Sequence, residues 1–258
     1  MFLSYFDDPV LDYLLLNAPN KYYNNAKCTK TMTPERFQRI NQVLDKRQPD
    51  LTVVTDEVHK ARNLSAIIRT CDAVGIGQIH CVMPKNGYQS YSGTSASAEK
   101  WVETLYYSRV EEPVDALKMR GYQVLAANLG TNTRDYREVD YTVPTALVLG
   151  AEVDGVSSVA AAGADINVMV PMAGMVESFN VSVACAIILM EAKTQRERAG
   201  LYNSRRLTDE RYHELFFQWA HPVLAKWCDE NGIVYPPVRA DGEVADLSQW
   251  YAAQRQTT

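Results

Sequence analysis

Between Leu51 and Arg198, short apolar runs of strand length alternate with longer stretches of helical period. The runs are Leu51–Thr55, Gln78–Val82, Trp101–Tyr106, Gln123–Ala127, Thr145–Leu149 and Ile166–Val170. The helical stretches are Asn63–Val74, Val114–Arg120, Ser157–Ala162 and Asn180–Arg198. Near-continuous apolar strands are buried on both faces, and crossover helices between parallel strands achieve that burial. The expected fold class is therefore α/β, a mostly parallel sheet with helices on both faces.

The flanks read differently. Residues 1–31 are aromatic and Asn-rich without a sustained period, and a second methionine, Met32, stands directly before a clean helix start. This segment reads either as a peripheral extension or as the product of an upstream start codon. Thr33 is placed to cap a helix with Pro34 at its first position. Phe37, Ile40, Val43 and Leu44 form its apolar stripe, with Arg36, Arg39, Lys46 and Arg47 off it. Those four are either a solvated face or a phosphate-contacting one. Past Gly200, Thr208 can cap a helix reaching Trp219, Pro222 suits the first turn of another ending at Gly232, and Leu247–Gln254 reads as a last short helix. The expected organisation is an extension (1–31), an N-terminal helix (32–50), a core (51–199) and a C-terminal helical extension (200–258).

Composition narrows the function classes. The 258 residues are 47% hydrophobic and 22% charged, ordinary for a globular chain. The longest uncharged apolar run, Val181–Met190, falls well short of the ~20 residues a bilayer span needs. Asp7 and Asp8 stand where a secretory signal would carry basic residues. The five cysteines, Cys28, Cys71, Cys81, Cys185 and Cys228, are scattered with no C-x-x-C pair. That pattern leads us to expect no metal site, no disulfide framework and a cytoplasmic setting. A net charge of −5 speaks against a generic nucleic-acid coat while leaving room for a local basic face.

Three segments carry candidate chemistry. The first is Asn63-Leu64-Ser65-Ala66-Ile67-Ile68-Arg69. On a helix, positions 63 and 69 lie about 240° apart, so Arg69 must be oriented by something beyond its own helix. The second, Leu147–Gly155, is a buried strand running into a glycine turn that bears Glu152. The third, Val168–Ala192, is a strand broken at Pro171 and Gly174 that restarts at Ser178 as an apolar helix. Ser178 or Asn180 could cap that helix. Its loop is longer than a tight turn needs, and strand C-termini are where α/β folds bind ligands. The glycine pair Gly75-Ile76-Gly77 fails as a dinucleotide fingerprint because it leads into a strand, which makes a nicotinamide oxidoreductase a distant third reading. His59, His80, His213 and His221 show no metal-ligand spacing.

As a set, in this order and spacing, the three segments resemble the three motifs of the SPOUT RNA methyltransferases. The resemblance runs from Thr33 to the C-terminus. The runs Arg47–Val53, Val58–Lys60 and Pro222–Lys226 look like the branch of that family that acts on tRNA. The resemblance implies a parallel α/β sheet with a deep C-terminal trefoil knot, an exception to the usual connection rules. It implies S-adenosylmethionine (SAM) as cofactor, held by Ala127, Leu149, Gly150, Val170, Met172 and Phe179. It also implies a homodimer built through the knot region, and methyl transfer to a guanosine ribose 2′-hydroxyl in the D-loop of tRNA. The same chemistry on rRNA, or a non-catalytic RNA-binding module, are the alternatives.

The implied catalytic set is Asn63, Arg69, Glu152, Ser178 and Asn180. A 2′-hydroxyl is a poor nucleophile until its proton leaves. Guanidinium groups hold their proton far above neutral pH, so a literal arginine base costs roughly 8 kcal/mol there. Arg69 is therefore expected to fix the 2′-oxygen and a neighbouring phosphate and to stabilise the developing alkoxide. The expected RNA-contacting residues are Arg36, Arg39, Lys46, Arg47, Arg196 and Arg198, a local basic surface on an acidic chain.

Overall fold

The computed structural model describes residues 32–84, 98–129, 133–245 and 249–250. The extension 1–31, residues 85–97 of the Ser/Gly/Ala-rich stretch 85–100 and the expected helix 247–254, apart from 249–250, lie outside the described residues.

The described chain divides into two compact units, 45–207 and the pair of segments 32–44 and 208–250. The larger unit is built on seven strands: β1 (Leu51–Asp56), β2 (Gln78–Val82), β3 (Glu103–Tyr107), β4 (Gln123–Ala127), β5 (Thr133–Asp135), β6 (Thr145–Leu149) and β7 (Ile166–Met169). They form one sheet in the order β3-β2-β1-β6-β4-β7-β5. Every pairing is parallel; Val53 stands opposite Leu147, and Leu147 opposite Leu125.

The two-residue period of each strand splits the core cleanly. Leu51, Val53, Leu125, Leu147 and Leu149 point to one face, packed with Ile67, Ile68 and Cys71 of a helix at Ala61–Ala73 and with Cys185, Ile188 and Leu189 of a long helix at Val181–Arg198. Val54, Val124, Ala126, Ala146 and Val148 point to the other. There they meet helices at Glu111–Met119 and Ser158–Gly163 through Val114, Leu117 and Ala160. Each fully buried Leu or Ile contributes roughly 2 kcal/mol of hydrophobic stabilisation. In chain order, counting the helix Pro34–Leu44 of the second unit as α1, these helices are α2 (Ala61–Ala73), α3 (Glu111–Met119), α4 (Ser158–Gly163) and α5 (Val181–Arg198).

Sequence periodicity located these elements to within a few residues, with three differences. The strand β5 was not expected; its three residues pair only with β7 and carry no apolar run. The strand β3 starts at Glu103, since residues 98–100 form a 3₁₀ turn. The helix after the Pro171/Gly174 break begins at Val181, and Asn180 is its cap; its Oδ1 accepts from the Ser182 N–H at 3.0 Å.

The smaller unit contains α1, α6 (Asp209–Ala220) and α7 (Pro222–Asn231). Thr33 Oγ1 accepts from the Arg36 N–H at 3.2 Å and Thr208 caps α6, as the Ser/Thr rule predicts. Gly232, at φ +63°, ends α7 in the left-handed conformation a β-carbon disfavours. Phe37 meets Phe216 edge-on at 5.6 Å, and Phe217 stacks on Tyr235 at 4.6 Å.

Candidate functional site

The C-terminal ends of β4, β6 and β7 lie side by side in the sheet, so the loops leaving them share one mouth. There they enclose a cavity of about 610 Å³. Its walls include Ala127, Leu149, Gly150, Val168, Val170, Phe179 and Ile188, and its polar rim includes Lys60, Glu152, Ser178 and Asn180. Of the residues expected to hold a cofactor, all but Met172 line this cavity. Asn128, Val168, Ala184 and Ile188 line it too and were not anticipated. Val168 and Ile188 read from sequence as ordinary core positions, one near a strand end and the other two turns into a helix, so nothing local marked them.

Gly150 has a reason of its own to be glycine. A β-carbon there would sit 2.0 Å from the backbone carbon of Gly155 and 2.1 Å from the Val156 nitrogen. The chain turns back on itself at this point: the Gly155 N–H donates to the Ala151 carbonyl at 3.0 Å, and Gly155 adopts φ +69°. The close approach that demands glycine is thus within the loop.

That turn aims Glu152 at the start of α2. Its carboxylate accepts from the Asn63 amide at 2.6 Å, the Lys60 N–H at 3.1 Å and the His59 N–H at 3.3 Å. No side chain of α2 caps its own N-terminus; Glu152 supplies the negative charge that helix starts favour. Burial pushes the Glu152 carboxyl up, but the hydrogen bonds outweigh it and hold it below the usual carboxylate value. The buried Asn63 in turn accepts from the Asn180 amide at 3.3 Å. Three segments far apart in sequence are thereby joined as Glu152–Asn63–Asn180. Ser178 is exposed and makes no hydrogen bond among the described residues, leaving its hydroxyl available at the mouth.

Arg69 stands apart. It is exposed on α2, pairs with nothing among the described residues and does not line the cavity. The offset of about 240° from Asn63, a third of a turn the short way round, keeps it off the face that Glu152 grips.

The basic set needs correction at two positions. Arg47 and Arg196 were expected to contact RNA, but their side chains are 1% and 0% exposed. Arg47 donates to the carbonyls of Ile76 and Trp101 and pairs with Asp72 at 2.8 Å. Arg196 donates to the carbonyls of Tyr141 and Val143, to Gln48 and to Asp50 at 2.7 Å. Burial pushes Asp50 up, yet Arg196 and Arg206 together hold it below the ordinary value. Their positions after a helix and near a helix end look like surface positions in sequence; only the tertiary fold shows that loop carbonyls converge on them. Lys46 donates to the Tyr202 carbonyl at 2.5 Å, while Arg36, Arg39 and Arg198 are exposed.

Among the described residues no cluster of His, Cys, Asp and Glu could hold a metal ion, and no helix is long and apolar enough to cross a membrane.

Comparison with known proteins follows the same outline. The profile of the SpoU rRNA methylase family matches residues 50–190, and that of the SpoU rRNA methylase C-terminal region matches residues 194–247. The chain is 42% identical over 226 residues to a tRNA (guanosine(18)-2′-O)-methyltransferase of Escherichia coli, covering 87% of this chain and 99% of that one. It is 50% identical over 187 residues to the enzyme of the same name from Thermus thermophilus, covering 72% and 96%. Among solved structures, the Aquifex aeolicus TrmH/SpoU tRNA modifying enzyme superposes with a TM-score of 0.68 at 39% identity, covering 73% of this chain and 96% of that one.

Proposed function

The chain belongs to the SpoU methylase family, and from that premise we propose that it methylates the ribose 2′-hydroxyl of a guanosine in the D-loop of tRNA, at position 18. The observation that carries the reading is the cavity at the ends of β4, β6 and β7, half apolar and rimmed by the joined Glu152–Asn63–Asn180 chain.

The cavity fits SAM by its chemistry. Leu149, Val168, Val170, Phe179 and Ile188 offer apolar walls for an adenosine, while the backbone of the loops provides polar groups for its edges. Bound there, SAM supplies an electrophilic methyl on a sulfonium. Phe179 and the loop 150–156 exclude water around it. Asn180, fixed by its cap to Ser182 and its bond to Asn63, holds the start of α5 against the mouth. Ser178 is free to accept or donate at the incoming ribose. Arg69 fixes the 2′-oxygen and stabilises developing negative charge through a guanidinium that stays protonated. Because Arg69 lies outside its own chain's cavity, it reaches the reacting oxygen when the RNA-bound dimer completes the site.

Homodimerisation is supported by apolar side chains left exposed beside the mouth. Met175 and Val176 precede α5, and Val183 and Met190 lie on it at 43% and 50% exposure. Family membership supports a knotted backbone in the region that builds the cavity.

The test is to incubate the purified protein with unmodified tRNA transcript and methyl-labelled SAM, then map the label. The reading expects one ribose methyl at the D-loop guanosine and none when that residue is 2′-deoxy. The family description names rRNA, so a ribosomal transcript forms the second arm. Label there and not on tRNA would overturn the substrate assignment.

A further inference from the structure

The target ribose cannot reach the cavity mouth alone. Its 3′-phosphate is attached to the carbon next to the reacting one, so a full negative charge arrives with the 2′-oxygen. The charged residues that line the cavity are Glu152, Asp154, Glu177 and Lys60. Three carry negative charge, and a phosphate brought among them is repelled. Lys60 is the one cation among the described lining residues.

Lys60 is also uncommitted. Its backbone N–H is held by Glu152, which fixes the residue at the N-cap position of α2 with φ −86° and ψ +113°. Its side chain is exposed and makes no ion pair or hydrogen bond among the described residues. Glu152 is 9% exposed, its oxygens accept from Asn63 and two backbone amides with the His59 ring 3.8 Å away, and it makes no ion pair with the Lys60 ammonium. None of the six basic residues first expected to meet RNA lines the cavity: Arg47 and Arg196 are buried in internal pairs, Lys46 donates to the Tyr202 carbonyl, and the exposed Arg36, Arg39 and Arg198 stand elsewhere.

We propose that Lys60 is the phosphate anchor of the reaction, holding the backbone phosphate next to the target ribose at the cavity mouth. It places the acceptor, and it offsets the acidic rim that would otherwise repel the RNA. The Glu152 bond to the Lys60 backbone sets where that anchor stands relative to the cofactor loop. This inference rests on the proposed 2′-O-methylation.

The experiment compares wild type, Lys60→Gln and Lys60→Arg. Because the Glu152 bond is to the backbone of residue 60, both variants keep it. A contact to one phosphate contributes about one unit to the slope of log affinity against log salt. Lys60→Gln is expected to raise KM for tRNA about tenfold, to lower that slope by about one, and to leave the SAM dissociation constant, measured by calorimetry, within twofold. Lys60→Arg is expected to restore both KM and slope, which a merely structural role would not require. If Lys60→Gln weakens SAM and leaves the slope unchanged, the ammonium holds the cofactor carboxylate and the proposal fails. If neither quantity moves, Lys60 is a solvated lysine and the proposal fails as well. Should wild type itself place no methyl on tRNA ribose, it is the underlying function that falls, a result distinct from either.

Discussion

Replacing Glu152 by Gln keeps the shape of the side chain and removes its charge. With its oxygen in the place of Oε1, the amide keeps bonds to Asn63 and the Lys60 N–H, while its NH₂ faces the His59 N–H, donor against donor. Hydrogen bonds to charged groups contribute roughly 1.5–3 kcal/mol and neutral ones about 1, so two bonds lose about 1 kcal/mol each. The third is lost outright for roughly 2 kcal/mol, giving a total near 4 kcal/mol. At 1.36 kcal/mol per decade, amide exchange at His59 and Lys60 should speed up by about a thousandfold where opening is local. Hydrogen exchange read residue by residue, alongside urea unfolding, checks this. The pH dependence carries the same sign: the folded carboxyl titrates below its unfolded value, so its contribution is complete above the ordinary carboxylate pKa and is lost as pH falls through the folded value. Wild type should therefore lose stability on acidification through that window more steeply than Glu152→Gln. Unchanged exchange at His59 and Lys60, with stability within 0.5 kcal/mol of wild type as an approximate bound, would refute the idea that Glu152 ties the cofactor loop to α2.

Gly150→Ala puts a methyl 2.0 Å from the Gly155 backbone; the loop must move, at a cost of about 3 kcal/mol or more, and calorimetry should show SAM binding lost before global unfolding. Arg196→Met leaves the Tyr141 carbonyl without its donor and Asp50 with Arg206 alone, while the Gln48 oxygen and the Val143 carbonyl keep Arg206 and Thr145; it should destabilise by roughly 3 kcal/mol in urea melts. Its effect on the salt slope of tRNA binding should be nil, since the residue is buried; a slope change would reinstate it as a phosphate contact. Arg69→Lys keeps the charge and loses the planar fork, so single-turnover methyl transfer should fall by at least about tenfold with SAM affinity unchanged. A near-full rate would contradict the positioning role.

The middle of the sheet could be read from sequence because its central strands are buried on both faces: β1 is buried throughout, Leu147-Val148-Leu149 of β6 has no polar interruption, and the helices between strands carry their own period. The strand β5 escaped notice because Thr133, Arg134 and Asp135 sit at the sheet edge, where no apolar pattern is required. Strand order escaped as well, since periodicity says which residues are buried and not which neighbour buries them. The three segments of the candidate site could be singled out in the sequence, but their coupling could not. Asn63 and Asn180 are 117 residues apart, and nothing in either local sequence indicates that one amide donates to the other.

The buried arginines show why charge was the least legible property. From sequence, Arg47 and Arg196 count toward a basic face, and the net charge of −5 then looks like the misfit to be explained. In the fold both are withdrawn into ion pairs with Asp72 and Asp50, which removes two positive and two negative charges from the surface balance together. The surface stays acidic after that subtraction, so attraction of RNA cannot rest on overall charge. It has to rest on where the remaining cations stand. A single ammonium among three carboxylates at the mouth then matters more than several arginines elsewhere, because Coulomb attraction between exposed charges fades within a Debye length of about 8–10 Å. On this argument recognition is local, and raising salt should weaken tRNA binding with a slope set by the few cations near the bound strand, not by the sequence total.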